Sequence, residues 1–396
     1  MIEASEFDGV ILGDSSSGLW MAHQLISKGW KLLVIATGTS TMQNALPRVI
    51  AEDFGFNPML DVRAHQPLQI LTPNYRFRMF PSEAEFKREY QLQFGKKFSL
   101  SGQMDLEFLR GLAFWVRGAE TGPVLADDLP GLYSRFFDTV YFDESPGFVT
   151  QTLLSRLEKS GATIVRPGSL RRIFIDRKAV VGVQLSNTSR MISVQRALVN
   201  THLDYLNAFF SEPLPYSSRP LGWRFEIRFE CSPEALPLGL TKRMIYVEGQ
   251  APILEIFQEK PGFFRLATTV PMHSYTLDRG EQRRLAARML RVCETIIPDL
   301  EYNLKKVIPD LRDPDRSETV DLPALYPFQE LKRIPSHILS FGSGAQSLPP
   351  NPMPGLWITH EEVNPKEAIW GAFEASRSAL KAIEASFVNK TESAKL

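Results

Sequence analysis

The feature that most constrains how this chain can fold is the stretch of residues 7–37. An apolar run at residues 10–12 ends at Gly13, and small or polar residues continue to Gly18. A helical stripe follows before a second apolar run at residues 32–35, and it consists of Leu19, Ala22, Leu25 and Ile26. The change from continuous apolar runs to a spacing of three to four residues predicts a strand, a turn, a helix and a second strand.

The turn of this unit carries a modified glycine motif. Gly13-Asp14-Ser15-Ser16-Ser17-Gly18 stands where dinucleotide-binding folds have G-x-G-x-x-G. Gly13 permits a tight turn, and Gly18 is expected to let the helix pack closely on the strand. Ser15 replaces the glycine over which a pyrophosphate would approach bare backbone, although its hydroxyl can still donate a hydrogen bond.

Two further departures from this motif concern charge. Asp14 adds a carboxylate close to the expected position of two phosphate groups. Ala36 stands at the end of the second strand, where an acidic residue normally accepts hydrogen bonds from ribose hydroxyls. The stretch therefore predicts the β-α-β fold, and it leaves two alternatives open: a weakened nucleotide site, or a unit that binds no nucleotide.

Composition limits the class of protein. The 396 residues suggest two or three domains, and 43% apolar with 23% charged residues is typical of a globular chain. Basic and acidic residues balance at 45 each, so we expect neither nucleic acid nor an acidic membrane surface as a partner. The 26 phenylalanines favour a large core over an apolar pocket.

The two cysteines, Cys231 and Cys293, are too few for a disulfide framework or a zinc site, which favours a reducing compartment. We see no secretory signal and no apolar run long enough to span a membrane, so we expect a cytoplasmic protein without a transmembrane segment. No two histidines have metal-ligand spacing, and we expect no metal site; the six are His23, His65, His202, His273, His337 and His360.

Patterns further along the chain predict its division. Residues 82–93 form a helix opened by a capping box of Ser82 and Glu85, and a second helix covers residues 105–115. Alternating residues at 223–229 indicate a half-buried strand, and three more strands and a helix at 280–297 follow. The predicted division is 1–45, 146–211 and 346–388 for a nucleotide-binding domain, 46–145 for a mainly helical insertion into it, 212–345 for an α+β domain and 389–396 for a polar tail.

Residues 146–209 carry a resemblance to a known family. Their order is Pro-Gly, helix, Gly-Ala, strand, strand, Gly-Val, strand and finally Ala-Leu-Val-Asn-Thr at residues 197–201. This order resembles the phytoene desaturase and amine oxidase superfamily of FAD-dependent oxidoreductases. The resemblance implies that the backbone of Leu170 meets the adenine of FAD.

The C-terminal region extends the resemblance. Residues 355–361 resemble the final strand of the family, with His360 and Glu361 in place of its Gly-Asp. Residues 369–372, which include Gly371 and Ala372, resemble the start of the last helix, whose N-terminus points at the pyrophosphate. The implied fold class is α/β, with a Rossmann-like FAD/NAD(P)-binding domain around a parallel sheet and an α+β substrate domain with an antiparallel or mixed sheet.

Two functional hypotheses follow from the resemblance. The first is an FAD-dependent oxidoreductase that removes a hydride from an apolar or amine substrate, with the flavin supplying the redox chemistry. The second is a flavin-free relative that binds a protein partner, in the manner of the Rab escort and GDP-dissociation-inhibitor proteins. Because several site positions depart from the family pattern, we expect FAD to bind weakly or not at all; these positions are Asp14, Ser15, Ala36 and His360. No catalytic side chain is predicted.

Overall fold

The computed structural model describes residues 6–37, 45–56, 68–100, 104–117, 124–142, 147–166, 168–177, 179–201, 206, 208–210, 216–271, 279–308, 326–333, 355–360 and 368–393. The strands are β1 (Glu6–Phe7), β2 (Gly9–Leu12), β3 (Leu32–Ile35), β4 (Ala45–Pro47), β5 (Leu68–Leu71), β6 (Arg76–Met79), β7 (Thr139–Tyr141), β8 (Thr163–Val165), β9 (Leu170–Asp176), β10 (Ala179–Leu185), β11 (Met191–Val194), β12 (Ala197–Val199), β13 (Tyr216–Cys231), β14 (Arg243–Tyr246), β15 (Leu254–Lys260), β16 (Phe263–Pro271), β17 (Leu304–Ile308), β18 (Tyr326–Arg333) and β19 (Leu356–Ile358). The α-helices are α1 (Ser16–Ser27), α2 (Arg48–Asp53), α3 (Glu83–Phe94), α4 (Leu106–Arg117), α5 (Leu129–Phe137), α6 (Phe148–Lys159), α7 (Arg279–Ile296), α8 (Leu300–Asn303) and α9 (Ala368–Ser393).

The chain forms two compact units. The first comprises Met1–Asn57, Pro146–Arg219 and Glu330–Leu396, and the second comprises Pro58–Ser145 and Pro220–Gln329. This grouping differs from the sequence-based interpretation of residues 46–145 as a helical insertion into the first domain. Residues 58–145 group with the second unit and supply β5 and β6 to its sheet. Each of these strands has only four residues, in a region punctuated by proline, so the local pattern did not reveal them.

The first unit is built on a parallel sheet in the order β19-β12-β2-β3-β8. Val10 pairs with Ala197 on one side and with Leu33 on the other. All residues of β2, β3, β12 and β19 are buried, because parallel strands covered on both faces are continuous apolar runs. The parallel sheet implied for the nucleotide-binding domain is confirmed.

Helices cover this sheet. Helix α1 packs against α6 and α9, and the rings of Trp20 and Phe373 meet edge to face at 5.0 Å. The predicted α1 stripe is buried at Leu19, Ala22 and Leu25. Helix α9 continues to Ser393 and therefore includes part of the polar tail predicted from residue 389. A separate four-stranded sheet has the order β1-β11-β10-β9.

The second unit contains a mixed sheet in the order β17-β13-β16-β15-β14-β5-β6. One face packs in a core with α7, where Leu285, Met289 and Ile296 are buried. The free thiols of Cys231 and Cys293 lie in this core, and burial raises the pKa of both. Together the two units confirm the predicted fold class of a parallel-sheet α/β domain with an additional mixed-sheet domain.

An aromatic cluster joins α3, α4, α5 and β6 within the second unit. Phe77 lies at the centre, with ring centroids 4.9 Å from Phe108 and 5.4 Å from Phe86. The predicted helix after Ser82 is confirmed as α3, but the capping box is wrong, because the Ser82 side chain makes no capping hydrogen bond. In the described part of the chain, no helix combines the length and apolar character needed to cross a bilayer.

Candidate functional site

The turn between β2 and α1 lies at the carboxyl edge of the parallel sheet. From β2 the chain proceeds to β3 on one side, whereas β12 lies on the other side of β2. Ligands of open α/β sheets bind outside the carboxyl ends of the strands at such a reversal of strand order. The residues that follow β2, β3, β12 and β19 are therefore the candidate site.

Gly13 is required at this edge by both conformation and space. Its φ is +121°, a value that residues with a side chain rarely adopt. A Cβ atom built on Gly13 would lie 2.3 Å from the carbonyl oxygen of Asn200, the residue after β12. The glycine therefore allows the ends of β2 and β12 to approach each other closely.

Asn200 ties the turn to β12 through its side chain. Its amide Nδ2 donates a hydrogen bond of 2.8 Å to the carbonyl oxygen of Ser15, and Ser15 Oγ donates to Asn200 Oδ1. Ser15 Oγ also lies 3.2 Å from Ser17 Oγ. We call the paired contacts of these two residues the Ser15–Asn200 latch. The serine at the middle glycine position thus holds the turn to a strand 185 residues away.

The latch also explains Gly18, for a reason different from the expected one. A Cβ atom on Gly18 would lie 2.1 Å from both Cγ and Nδ2 of Asn200. The close approach is therefore to the Asn200 side chain, whereas the motif predicted close packing of the helix on its own strand. Gly18 makes room for the latch at the first turn of α1.

Asp14 is directed into the protein. It is only 3% exposed, and its Oδ1 accepts a 2.9 Å hydrogen bond from the Thr37 hydroxyl. Thr37 follows β3, and its Oγ1 lies 3.2 Å from Oγ1 of Thr201. Because its carboxylate is buried, Asp14 is not part of a solvent-exposed acidic surface. Ser16 and Ser17 are buried in the first turn of α1.

Ala36 and Leu170 are both buried in the first unit. The amide of Ala36 donates a 3.0 Å hydrogen bond to the carbonyl oxygen of Val165. The buried methyl group of Ala36 cannot accept a hydrogen bond from a ribose hydroxyl. Leu170 begins β9 and belongs to the core of the first unit, opposite Leu185. The adenine contact implied for Leu170 stays a prediction.

The end of β19 places His360 at the same edge. The amide of Thr359 donates a 2.8 Å hydrogen bond to the carbonyl oxygen of Val199, and the next residue, His360, is 1% exposed. Gly371 and Ala372 are buried near the start of α9, which packs on α1. Glu361 lies outside the described residues, so its correspondence to the family's final Gly-Asp stays a prediction.

Sequence reasoning did not identify Asn200, Thr37 and Thr201 as site residues. Each directly follows or lies near the carboxyl end of a buried parallel strand. A polar residue in that position faces the strand-order reversal, and this is the signal that could have identified all three.

The arrangement suits an anion more than a metal. The first turn of α1 presents the backbone N–H groups of Ser16, Ser17 and Gly18 at the carboxyl edge, and helix N-termini of this kind bind phosphate. These groups, with Gly13, fit the pyrophosphate of a dinucleotide, whereas the Ala36 side chain has no acceptor for a ribose hydroxyl. Among the described residues, no group of His, Cys, Asp and Glu side chains could hold a metal ion.

Comparison with solved structures gives the fold family. The chain is similar to an oxidoreductase from Methanosarcina mazei (TM-score 0.57, 12% identity, covering 94% of this chain and 99% of that one). It is also similar to the flavin-dependent brominase Bmp2, with a TM-score of 0.55 and 10% identity, covering 96% of this chain and 78% of that one. A third similar structure is glycine oxidase from Bacillus cereus ATCC 14579, with a TM-score of 0.50 and 12% identity, covering 95% of this chain and 97% of that one. No protein-family model matches the chain, and no curated protein matches its sequence. The chain therefore has the fold of FAD-binding, Rossmann-type flavoproteins.

Proposed function

We propose that this protein is an FAD-dependent oxidoreductase of the phytoene desaturase or amine oxidase type that binds its flavin weakly and acts on an apolar or amine small molecule. The observation that carries the proposal is the β2–turn–α1 unit, whose Gly13 lies beside β12 where the strand order reverses. Flavin, when bound, would supply the hydride-accepting chemistry. The first turn of α1 would hold the pyrophosphate.

Charge is the main reason to expect weak binding. A carboxylate within about 4 Å of a phosphate costs roughly 1–4 kcal/mol at effective dielectric constants between those of water and a protein surface. Asp14 is buried at the turn, so solvent screens its charge little. The missing ribose acceptor at Ala36 removes a further hydrogen bond to a charged group, about 1.5–3 kcal/mol.

The test is a titration of FAD into the purified protein, followed by flavin fluorescence, for wild type and Asp14→Asn. The amide keeps the acceptor for Thr37 and removes the charge, so we expect at least tenfold tighter binding, about 1.4 kcal/mol. The gain should shrink as salt rises. Glu52→Gln, an exposed carboxylate of α2, is the matched control and should leave the affinity unchanged.

Two results would change the proposal. Stoichiometric FAD that survives gel filtration, seen as an absorbance band near roughly 450 nm, would overturn weak binding and keep the oxidoreductase. Absence of saturable binding in both wild type and Asp14→Asn would instead support the second candidate, a flavin-free protein that binds a protein partner. The Ser15–Asn200 latch favours this candidate, because it uses the turn for contacts within the chain.

A further inference from the structure

Two neighbouring residues, Ala36 after β3 and Arg166 after β8, lie at the carboxyl edge of the parallel sheet. The strands β3 and β8 are adjacent, and their register pairs Ile35 with Val165. The hydrogen bond from the Ala36 amide to the Val165 carbonyl oxygen extends this pairing beyond the ends of both strands. Ala36 therefore lies beside Arg166, at the spacing of about 5 Å that separates neighbouring strands.

The side chains of Ala36 and Arg166 share the face of the sheet that α1 covers. Ile35 and Val165 belong to the core between this sheet and the four-stranded sheet. Helix α1, which is described throughout, contributes no residue to that core and contacts β2 and β3, so it packs on the opposite face. Because successive side chains of a strand point to opposite faces, Ala36 and Arg166 point to the side of α1. The first turn of α1, the candidate pyrophosphate site, lies at the same edge.

Arg166 brings a positive charge to this edge of the sheet. The residue is exposed, and no carboxylate among the described residues forms an ion pair with it. Ala36 is 5% exposed and contributes only a methyl group. Compared with the usual dinucleotide site, an acid is missing after the second strand of the unit, and a base follows the neighbouring strand.

These two differences decide which ribose suits the site. An acid after the second strand accepts hydrogen bonds from free ribose hydroxyls, and its charge repels a phosphate on that ribose. A nearby arginine accommodates a ribose phosphate, because a planar guanidinium donates two parallel hydrogen bonds to phosphate oxygens. Ala36 and Arg166 provide the second arrangement.

We propose that Arg166 binds a phosphate group on the adenosine ribose of a nucleotide whose 5′-phosphate lies at the first turn of α1. The ligand class comprises adenine nucleotides phosphorylated at the 2′- or the 3′-hydroxyl of this ribose. FAD has a phosphate at neither position, so the inference goes beyond the proposed flavin function. It adds a reason for weak flavin binding, since FAD offers Arg166 no anion.

The experiment compares adenosine 2′,5′-bisphosphate, adenosine 3′,5′-bisphosphate and AMP by calorimetry on the full-length protein. AMP has the same 5′-phosphate, so the unfavourable charge of Asp14 affects all three ligands alike. We expect one bisphosphate to bind at least tenfold more tightly than AMP, and its identity distinguishes a 2′- from a 3′-phosphate. Arg166→Met should weaken binding of that bisphosphate at least tenfold and leave AMP unchanged. The preference of wild type should shrink as salt rises.

Arg166→Glu provides a second test at the same exposed position. The introduced carboxylate should repel the ribose phosphate, so AMP should bind this variant more tightly than either bisphosphate. Arg177→Met is the matched control. Arg177 is also exposed and forms no ion pair among the described residues, but it follows the far end of β9. The control variant should bind all three nucleotides as wild type does.

The outcomes separate this site from the flavin function. Equal affinity of wild type for the three nucleotides, no binding of any of them, or equal losses in Arg166→Met and Arg177→Met would overturn the ribose-phosphate site. Titration of FAD into the same protein supplies the other comparison. A preference for a bisphosphate without saturable FAD binding would keep the site and overturn only the flavin function. Saturable FAD binding without that preference would do the reverse.

Discussion

At the scale of single residues, the turn between β2 and α1 depends on how closely Asn200 approaches Gly18. Alanine is better than glycine within a helix by about 1 kcal/mol, so Gly→Ala changes in helices normally stabilise or are neutral. Gly131 of α5 has no atom within 4 Å of an added Cβ, whereas Gly18 would meet Asn200 at 2.1 Å. Both glycines lie within a helix, but only Gly18 has a neighbouring side chain that an added methyl group would meet.

We predict opposite effects for the two substitutions. Gly131→Ala should be neutral or stabilising by up to about 1 kcal/mol. Gly18→Ala should lower the free energy of unfolding by about 1–3 kcal/mol, as overpacking of a dense site does. Urea denaturation of both variants measures the difference, and a Gly18→Ala variant as stable as Gly131→Ala would contradict the close contact.

A double-mutant cycle tests whether the Asn200 side chain is the reason that Gly18→Ala destabilises the protein. Asn200→Ala removes the side chain that Gly18 accommodates, and it should itself cost about 1–3 kcal/mol through the lost hydrogen bonds. In the Asn200→Ala background, Gly18→Ala should cost at least about 1 kcal/mol less than in wild type, since residues in contact couple. Equal costs in both backgrounds would show that Asn200 is not what excludes a methyl group.

At the scale of secondary-structure elements, the aromatic cluster organises the helices of the second unit. Phe108 of α4 is fully buried, with its ring 4.9 Å from Phe77 and 5.4 Å from Tyr90. Phe108→Ala should cost about 3–5 kcal/mol of unfolding free energy, because it removes apolar contacts and leaves a cavity. Leu92→Ala on α3, at a residue 71% exposed, should change stability by less than about 0.5 kcal/mol. Thermal or urea unfolding of both variants tests this contrast.

Elements with strong local patterns could be predicted, and those defined by distant partners could not. The helix at 280–297 was expected from its apolar stripe, and α7 covers Arg279–Ile296. In contrast, β5 is four residues long and lies between β6 and β14, and Ile70 pairs with Ile245 of the remote strand β14. No local period reveals a pairing between segments so far apart in the sequence.

At the scale of the whole molecule, the parallel sheet was predictable because β2, β3, β12 and β19 are short apolar runs in the sequence, although they are spread over most of the chain. The hydrogen bonds between the residues at the carboxyl edge of this sheet could not be predicted. Ser15 was expected to be a tolerated replacement of glycine, and its actual role depends on Asn200, which is remote in the sequence. Likewise, the charge of Asp14 was recognised, but its hydrogen bond from Thr37 arises only when β2 and β3 align.

The last prediction concerns the flavin affinity of the whole protein after the motif is restored. The triple variant Asp14→Gly, Ser15→Gly and Ala36→Glu removes the carboxylate, reopens the backbone and supplies the ribose acceptor. Without FAD it should melt at a lower temperature than wild type, since Ser15 no longer donates to Asn200 and a carboxylate is introduced at a buried position.

With FAD, the difference in melting temperature should narrow. Flavin fluorescence should show at least tenfold tighter binding to the triple variant, about 1.4 kcal/mol. Because a ligand that binds only the folded state raises its stability by mass action, excess FAD should also raise the melting temperature of the triple variant more than that of wild type. A folded triple variant that binds FAD no better than wild type would show that the motif does not limit binding. The Asn200 side chain over Gly18, or the buried His360, would then be the obstacle, and adding Asn200→Ala to the triple variant distinguishes these two residues.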